Sequence, residues 1–178
     1  PITLTGTTIY NGTTSAPAAD LTVTNLASGD TQTTVGLGGA ATMAAKDAGT
    51  RSLTSLSGLS VASGDYTVVG GSGSVTVLPA VLFLTVADQT ATYGTPYTPS
   101  VAPTTGYTTT GLKPGDSITS VSEVIVINGS NVSATTATTP VGTYYILPAS
   151  WTGPGLSSNY IVNWASGTLT VNPQTVYV

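Results

Sequence analysis

The sequence predicts an all-β fold, and three observations support that prediction. Apolar and polar residues alternate with period two in several short runs, as in half-buried strands. Val and Thr, which both favour strands, dominate these runs, and the chain contains 36 threonines. Gly, Pro and Asn cluster between the runs, where they are typical of turns. We therefore expect small β modules, either Ig-like sandwiches or β-grasp-like sheets, that follow one another end to end.

The strand pattern is clearest at Leu21–Thr24, Ser74–Val77 and Gly167–Val171, where every second residue is apolar. The most apolar run, Val77–Ala87, has 11 residues and is interrupted by Pro79. A helix that crosses a bilayer needs about 20 apolar residues. This run therefore predicts two buried strands at a module junction and no membrane span.

Turn chemistry predicts two hairpins. Asn128-Gly129 follows an apolar run, and Asn-Gly favours a type I′ turn because both central residues need positive φ. The stretch Gly70–Gly73 predicts a second turn, between strands at Tyr66–Val69 and Ser74–Leu78. Proline cannot donate a hydrogen bond within a sheet, so we expect loops at five prolines: Pro103, Pro114, Pro140, Pro148 and Pro154.

The composition excludes several classes of function. The 178 residues include 3 Lys and Arg, 7 Asp and Glu, and no His or Cys. We therefore predict no His- or Cys-based catalytic site, no zinc site, no cofactor and no enzyme activity. Three cations cannot neutralise a phosphate backbone, which excludes nucleic acid as a partner. The first residues lack the basic and apolar segments of a signal peptide, so we expect the chain to begin inside a longer polypeptide.

Four elements of the first half recur in the second half in the same order. They are represented by the pairs Tyr10 and Tyr93, Asp30 and Asp116, Gly49 and Gly142, and Tyr66 and Tyr160. The offset grows from 83 to 94 residues through insertions between the elements, and such long-period similarity is typical of arrays. We predict two modules, residues 1–78 and 79–172, and assign residues 173–178 to the first strand of a following module. One period of the array would then be the whole chain.

Both modules carry motifs of known families. The first resembles the YDG domain of giant bacterial surface adhesins at Thr7–Thr14, Lys46–Thr50 and Gly64–Thr67, with Asn11 where that family usually has Asp. The second resembles the MBG domain of the YGX type at four elements: Ala91–Gly94, Gly111–Asp116, Val141–Tyr144 and Asn159–Pro173. Such domains form tandem stalks in filamentous-haemagglutinin-like and related secreted adhesins. The resemblance implies an extracellular or cell-surface structural role in a bacterium, and it transfers no catalytic residue.

The aromatic residues are candidates for binding. Tyr10, Tyr66, Tyr93 and Tyr160 would either form a ladder that stacks on sugars or, as we expect, pack as core or corner residues whose hydroxyls bond the backbone. Trp151 and Trp164 occur only in the second module. An exposed Trp pair would suit a glycan or another cell-surface ligand, whereas a buried pair would enlarge the core.

The charged residues are scattered. Calcium needs six to eight oxygen ligands. The candidate aspartates stand singly in the sequence, so we predict no metal site. The candidates are Asp30, Asp65, Asp88 and Asp116. We expect Asp30 and Asp116 to accept backbone N–H bonds in turns. Lys46 and Lys113 lie near acids, as a Lys–Asn isopeptide bond would require, but in loop-like sequence, which argues against that bond.

The remaining polar motifs are weak. N-glycosylation sequons begin at Asn11, Asn128 and Asn131, and we expect them to be unmodified in a bacterial protein. Glu123, the sole Glu, is placed at a strand start, and no second glutamate is present for acid–base catalysis. With no His and few acids, we expect a melting temperature that is nearly flat from pH 5 to 8.

Strand edges suggest the partner. Natural sheets protect exposed edges with charges, prolines or bulges, and this sequence has few charges for that purpose. Either prolines, bulges and short strands protect the edges within each module, or residues 173–178 add as a strand to a neighbouring copy of the repeat. We therefore predict a structural repeat unit of an adhesin stalk or filament that supports cell-surface adhesion or a biofilm matrix. The alternative is a glycan- or partner-binding module that uses the Trp151/Trp164 region.

Overall fold

A computed structural model describes residues 1–99, 106–153 and 156–177. Strands contain 51% of the residues and helices 6%, which confirms the predicted all-β fold. The chain forms two compact units. The first unit comprises Pro1–Ala80 together with Ser158–Tyr160, and the second comprises Val81–Ser157 and Ile161–Val178. No helix among the described residues is long and apolar enough to cross a membrane.

The first unit contains one seven-stranded sheet. Its strands are β1 (Thr3–Ile9), β2 (Ser15–Pro17), β3 (Leu21–Val23), β4 (Leu37–Met43), β5 (Gly49–Ser55), β6 (Leu59–Val61) and β7 (Ser72–Leu78). The strand order is β2-β4-β5-β7-β1-β3, and β6 also pairs with β4. Strands β1 and β7 are parallel, while the other pairs are antiparallel. Leu4, Val75 and Val77 are each at most 2% exposed and lie in the core.

Two short helical segments interrupt the first unit. A 3-10 turn spans Ala18–Asp20, and the helix α1 spans Gln32–Val35. Thr31 caps α1, because its hydroxyl accepts the N–H of Thr34 while the Thr34 hydroxyl accepts the N–H of Thr31. This reciprocal cap explains a helix in a segment for which the sequence predicted none.

The predicted hairpin at Gly70–Gly73 is wrong. Its second strand exists as β7, but Tyr66–Val69 forms no strand. Ile2 lies between the two segments, because its N–H donates to the Thr67 carbonyl (3.0 Å) and its carbonyl accepts the N–H of Ser72 (3.2 Å). The chain therefore places β1 next to β7, a long-range pairing that local turn chemistry does not reveal.

The second half of the chain forms two sheets. Its elements are β8 (Ala80–Val86), β9 (Gln89–Thr92), β10 (Tyr107–Thr110), β11 (Ser120–Ile127), β12 (Ser130–Val132), β13 (Gly142–Thr152), α2 (Leu156–Asn159), β14 (Tyr160–Ala165) and β15 (Gly167–Asn172). One sheet has the order β10-β8-β14 and the other β12-β11-β13-β15-β9. Burial alternates strictly along β8, so that Leu82 and Leu84 are buried while Val81 and Phe83 are exposed. This two-faced pattern is that of sandwich-like packing.

The structure confirms one of two local predictions for the hairpin at Asn128-Gly129 and the apolar run Val77–Ala87. Strands β11 and β12 form the Asn128-Gly129 hairpin, with φ of 50° and 77° at the two turn residues. The apolar run Val77–Ala87 contains the end of β7 and the whole of β8, on either side of Pro79. The predicted pair of buried strands is wrong, because the two strands belong to different sheets and only alternate residues of β8 are buried.

The proline prediction is wrong at one position. Pro148 lies inside β13, opposite Glu123, where the register between β11 and β13 shifts. Such a bulge tolerates a residue that cannot donate to the ladder. Pro114 lies in a turn and Pro140 in a loop, as expected, while Pro103 and Pro154 lie outside the described residues.

Candidate functional site

Five polar or aromatic residues of the first unit come together in one cluster. We call it the Tyr10 cluster, and it consists of Tyr10, Lys46, Asp47, Asn159 and Tyr160. The sequence singled out Tyr10, Lys46 and Tyr160 as separate candidates, and it gave Asp47 and Asn159 only as parts of family motifs. Their association depends on Ser158–Tyr160, which belong to the first unit although they follow it by many residues.

Tyr10 lies at the centre of the cluster. It directly follows β1, its N–H donates to the Leu78 carbonyl (2.8 Å), and its side chain is 1% exposed. The Tyr160 ring packs edge to face against it, with a centroid separation of 5.5 Å and an interplanar angle of 78°. Lys46 Nζ lies 5.9 Å from the Tyr10 ring centroid. Edge-to-face packing of two buried rings contributes to stability beyond the area that it buries.

Asn159 fixes the incoming segment through its side-chain amide. Its Oδ1 accepts the N–H of Ala48 (2.8 Å), and its Nδ2 donates to Asp47 Oδ1 (2.8 Å). The Asn159 side chain is 1% exposed, and its partners Asp47 and Ala48 are partly buried. An amide suits this position because it carries an acceptor and a donor on one small group.

We expect Asn159→Ala to lower the free energy of unfolding by about 1–3 kcal/mol, because it leaves the Ala48 N–H and the Asp47 carboxylate without their partner. Chemical denaturation followed by circular dichroism measures this change. Asn163→Ala is the matched control, since Asn163 is exposed in β14 and its loss should change the stability by less than about 0.5 kcal/mol. Equal effects of the two substitutions would contradict the assigned role of Asn159.

The second unit contains the same backbone frame around Tyr93. The Tyr93 N–H donates to the carbonyl of Asn172 (2.8 Å), the last residue of β15, just as Tyr10 bonds the last residue of β7. Gly142 pairs with Val171 as Gly49 pairs with Val77. Pro140 and Val141 therefore occupy the positions that Asp47 and Ala48 hold in the first unit.

This second frame, which we call the Tyr93 site (Tyr93, Pro140 and Val141), is uncovered. Tyr93 is 40% exposed and Val141 is 50% exposed, whereas the equivalent Tyr10 is buried. Among the described residues, no hydrogen bond to the Val141 N–H is present, although its counterpart on Ala48 is bound by Asn159. The two sites thus share a backbone frame, but Asn159 and Tyr160 cover Tyr10, whereas Tyr93 remains partly exposed.

Tyr66 holds a loop of the first unit. Its hydroxyl donates to Asp30 Oδ2 (2.7 Å) and accepts the N–H of Ala27 (2.8 Å). The hydrogen bond to the Asp30 carboxylate raises the pKa of Tyr66. Asp30 was expected to accept a backbone N–H and instead accepts this phenol. Tyr10 and Tyr160 are buried and Tyr66 is bonded at a corner, as expected, whereas Tyr93 is 40% exposed and departs from that expectation.

The other aspartates serve local structure. Asp88 accepts the Thr168 N–H (2.8 Å) and hydroxyl (2.9 Å), and these bonds lower the pKa of Asp88. The Asp116 N–H closes a turn onto the Lys113 carbonyl (3.1 Å), as the Asp30 N–H does onto Ala27. Within the described ranges, no group of three or more acidic, His or Cys side chains could hold a metal ion.

Both candidate lysines for an isopeptide bond lie in loops. Lys46 stands between β4 and β5, and Lys113 stands between β10 and β11. Neither position is the core strand position that such a bond requires.

Trp151 and Trp164 pack against each other in the second unit. Their ring centroids are 6.4 Å apart at an interplanar angle of 76°, and Trp164 is 40% exposed. The edge-to-face arrangement favours a shared apolar contact, since a sugar platform needs a freely presented ring face. The first unit has a separate groove of about 300 Å³, lined by residues 53–57 and 68–71.

Glu123 is a buried acid. It stands in the middle of β11 rather than at a strand start, faces inward with Val121 and Ile125, and is 7% exposed. Its Oε1 has no hydrogen-bond partner among the described residues. Burial raises the pKa of Glu123 to about 7. Burial, and to a smaller extent the Glu123 charge, raises the pKa of Tyr97 and Tyr107 as well. A pKa of about 7 lies inside the range from pH 5 to 8, so we expect the stability to change with pH there, in contrast to the flat profile expected from the sequence.

Comparison with known protein families gives a match to the second half of the chain. The family model of the MBG domain (YGX type) matches residues 82–170, which is half of the chain. The chain belongs to the MBG domain family. This MBG match contains Tyr93, Val141, Asn159 and Tyr160, and MBG domains are associated with surface proteins. No curated protein and no solved structure matches the chain, and the YDG resemblance of residues 1–78 remains a prediction.

Proposed function

We propose that this chain is a structural repeat unit of an extracellular bacterial adhesin stalk or filament, which supports cell-surface adhesion or a biofilm matrix. The observation that carries the proposal is the Tyr10 cluster. The first unit is completed by a segment from far along the chain, which two hydrogen bonds and an aromatic pair hold in place. Tension along the chain would have to break this closure before the first unit could open.

The composition suits such a role. The chain has no thiol or imidazole and carries few charges, so redox changes and salt have few groups on which to act. Membership of the MBG family and the internal repeat support the same conclusion, because arrays gain length by adding similar units.

Small-angle X-ray scattering from two copies of the chain joined directly, Val178 to Pro1, tests this function. A stalk predicts a maximum dimension about twice that of one copy, because repeat arrays grow in one dimension. A joined pair that is no longer than the single chain would overturn the proposal.

The alternative, a glycan-binding module, has one observation in its favour, which is the exposure of Trp164. We expect the intact chain to give no signal above background on a glycan array, because the Trp pair packs on itself. The comparison is Trp164→Ala against Phe83→Ala, since Phe83 is also an exposed aromatic residue of the second unit. A signal that Trp164→Ala abolishes and Phe83→Ala retains would favour the alternative.

A further inference from the structure

We propose that copies of this chain join head to tail, with the Tyr93 site of one copy receiving the Asp65-Tyr66 segment of the next. The inference rests on the proposed stalk function, because it names the surface through which one repeat binds another. The first unit already contains the equivalent contact in its occupied form. There, Asn159-Tyr160 cover Tyr10, and in the sequence repeat Asp65-Tyr66 correspond to Asn159-Tyr160 as Tyr93 corresponds to Tyr10.

The residues of the contact around Tyr10 are buried, whereas their counterparts in the Tyr93 site and in the Asp65-Tyr66 segment are more exposed. Tyr10 and Asn159 are each 1% exposed, and Tyr160 is 5% exposed. Their counterparts are open to solvent, since Tyr93 is 40% exposed, Asp65 is exposed and Tyr66 is only half-buried. A single copy thus presents both the receiving site and the inserting segment.

The polar groups differ between the two contacts in a complementary way: where Asn159 is replaced by Asp65, Asp47 is replaced by Pro140. Asn159 carries a donor and an acceptor, and it meets the Asp47 carboxylate and the Ala48 N–H. Asp65 carries acceptors only when ionised, and the Tyr93 site offers a matching donor in the Val141 N–H. At the position of Asp47, it has Pro140, which brings no second carboxylate against Asp65. The charges therefore fit Asp65 to the Tyr93 site, whereas Asp65 opposite Asp47 would place two like charges together.

The apolar surface gives a second, independent indication. Among the described residues, the most exposed large apolar side chains are Tyr177 (93%), Val176 (80%) and Val69 (79%). The first two lie in the segment after β15, where Pro173–Tyr177 form no strand, and Val69 follows Tyr66. All three belong to the two segments that the proposed joint would bring together.

The strand pairing of β8 with β14 shows how these segments would meet. Strand β8 follows Pro79 and pairs with β14, which begins at Tyr160. By the repeat, Pro173–Tyr177 correspond to the start of β8, and Tyr66–Val69 correspond to the start of β14. Strand addition there would extend the bond that the Ile2 N–H already makes to Thr67, cover the exposed side chains and give Tyr66–Val69 the strand that the sequence predicted.

A cysteine probe tests the joint, because the chain has no cysteine of its own. Val141→Cys is placed in the first copy, or alternatively in the second, of two full chains joined Val178 to Pro1. We expect the first-copy thiol to react with a maleimide at least about tenfold more slowly than the second-copy thiol, because reactivity follows access. Equal rates would overturn the inference.

The substitution Asp65→Ala distinguishes docking from general shielding. In the second copy it removes the proposed acceptor and should restore fast labelling of the first-copy thiol. In the first copy the same substitution should leave the protection unchanged, which is the matched control. Protection that persists with Asp65→Ala in the second copy would refute the assigned segment. Scattering from the same joined chains separates the two proposals: a long particle with an unprotected thiol refutes the joint alone, and a short particle refutes the stalk.

Discussion

The free energy of unfolding of the second unit is expected to fall by roughly 3 kcal/mol between pH 4 and pH 8, because of Glu123. The pKa of Glu123 is raised from 4.5 to about 7 in the folded chain. Between these values the folded state holds a proton that the unfolded state has released. The folded state is therefore favoured most below pH 4.5, and its advantage is lost as the pH rises through 7.

The two tryptophans make this loss measurable, since both lie in the second unit. Urea denaturation followed by Trp fluorescence at several pH values gives the profile of that unit. Glu123→Gln removes the titration, so its stability should stay level across the range and exceed that of the original chain at pH 8. Asp65→Asn is the control, because Asp65 is exposed. A falling profile that persists in Glu123→Gln would show that another group is responsible.

Tyr10→Ala should lower the free energy of unfolding of the first unit by about 3–5 kcal/mol, the range for removing a buried aromatic side chain. The substitution removes the ring against which Tyr160 and Lys46 pack. Scanning calorimetry measures the change, and Trp fluorescence reports separately on the second unit.

Tyr93→Ala is the matched control for Tyr10, because Tyr93 makes the same backbone bond at the end of a parallel strand pair. Its ring is 40% exposed, so its loss in a single copy should change the stability by less than about 0.5 kcal/mol. Similar losses of stability from Tyr10→Ala and Tyr93→Ala would contradict the assignment of Tyr10 as covered and Tyr93 as uncovered. In two joined copies, the proposed joint makes Tyr93→Ala in the first copy more destabilising than in the second.

The burial of Glu123 and the contacts of Asn159 were not predicted from the sequence. Glu123 shares the period-two phase of Val121 and Ile125, so extending the alternation through β11 would have indicated that it faces inward. Its assignment to a strand start hid that phase. No comparable local pattern existed for Asn159, whose partners Asp47 and Ala48 lie more than a hundred residues away.

Residue patterns alone are enough to predict the all-β class, the β11–β12 hairpin and the internal correspondences between Tyr10 and Tyr93 and between Tyr66 and Tyr160. These features follow from side-chain alternation, from the φ that a turn demands and from the order of similar motifs, all of which are properties of neighbouring residues. The folded chain adds three features that these patterns do not give: β1 pairs with β7, Ser158–Tyr160 complete the first unit, and Glu123 is buried. Each of these depends on which distant segments exclude water from one another, and that free energy is set by the whole packed unit.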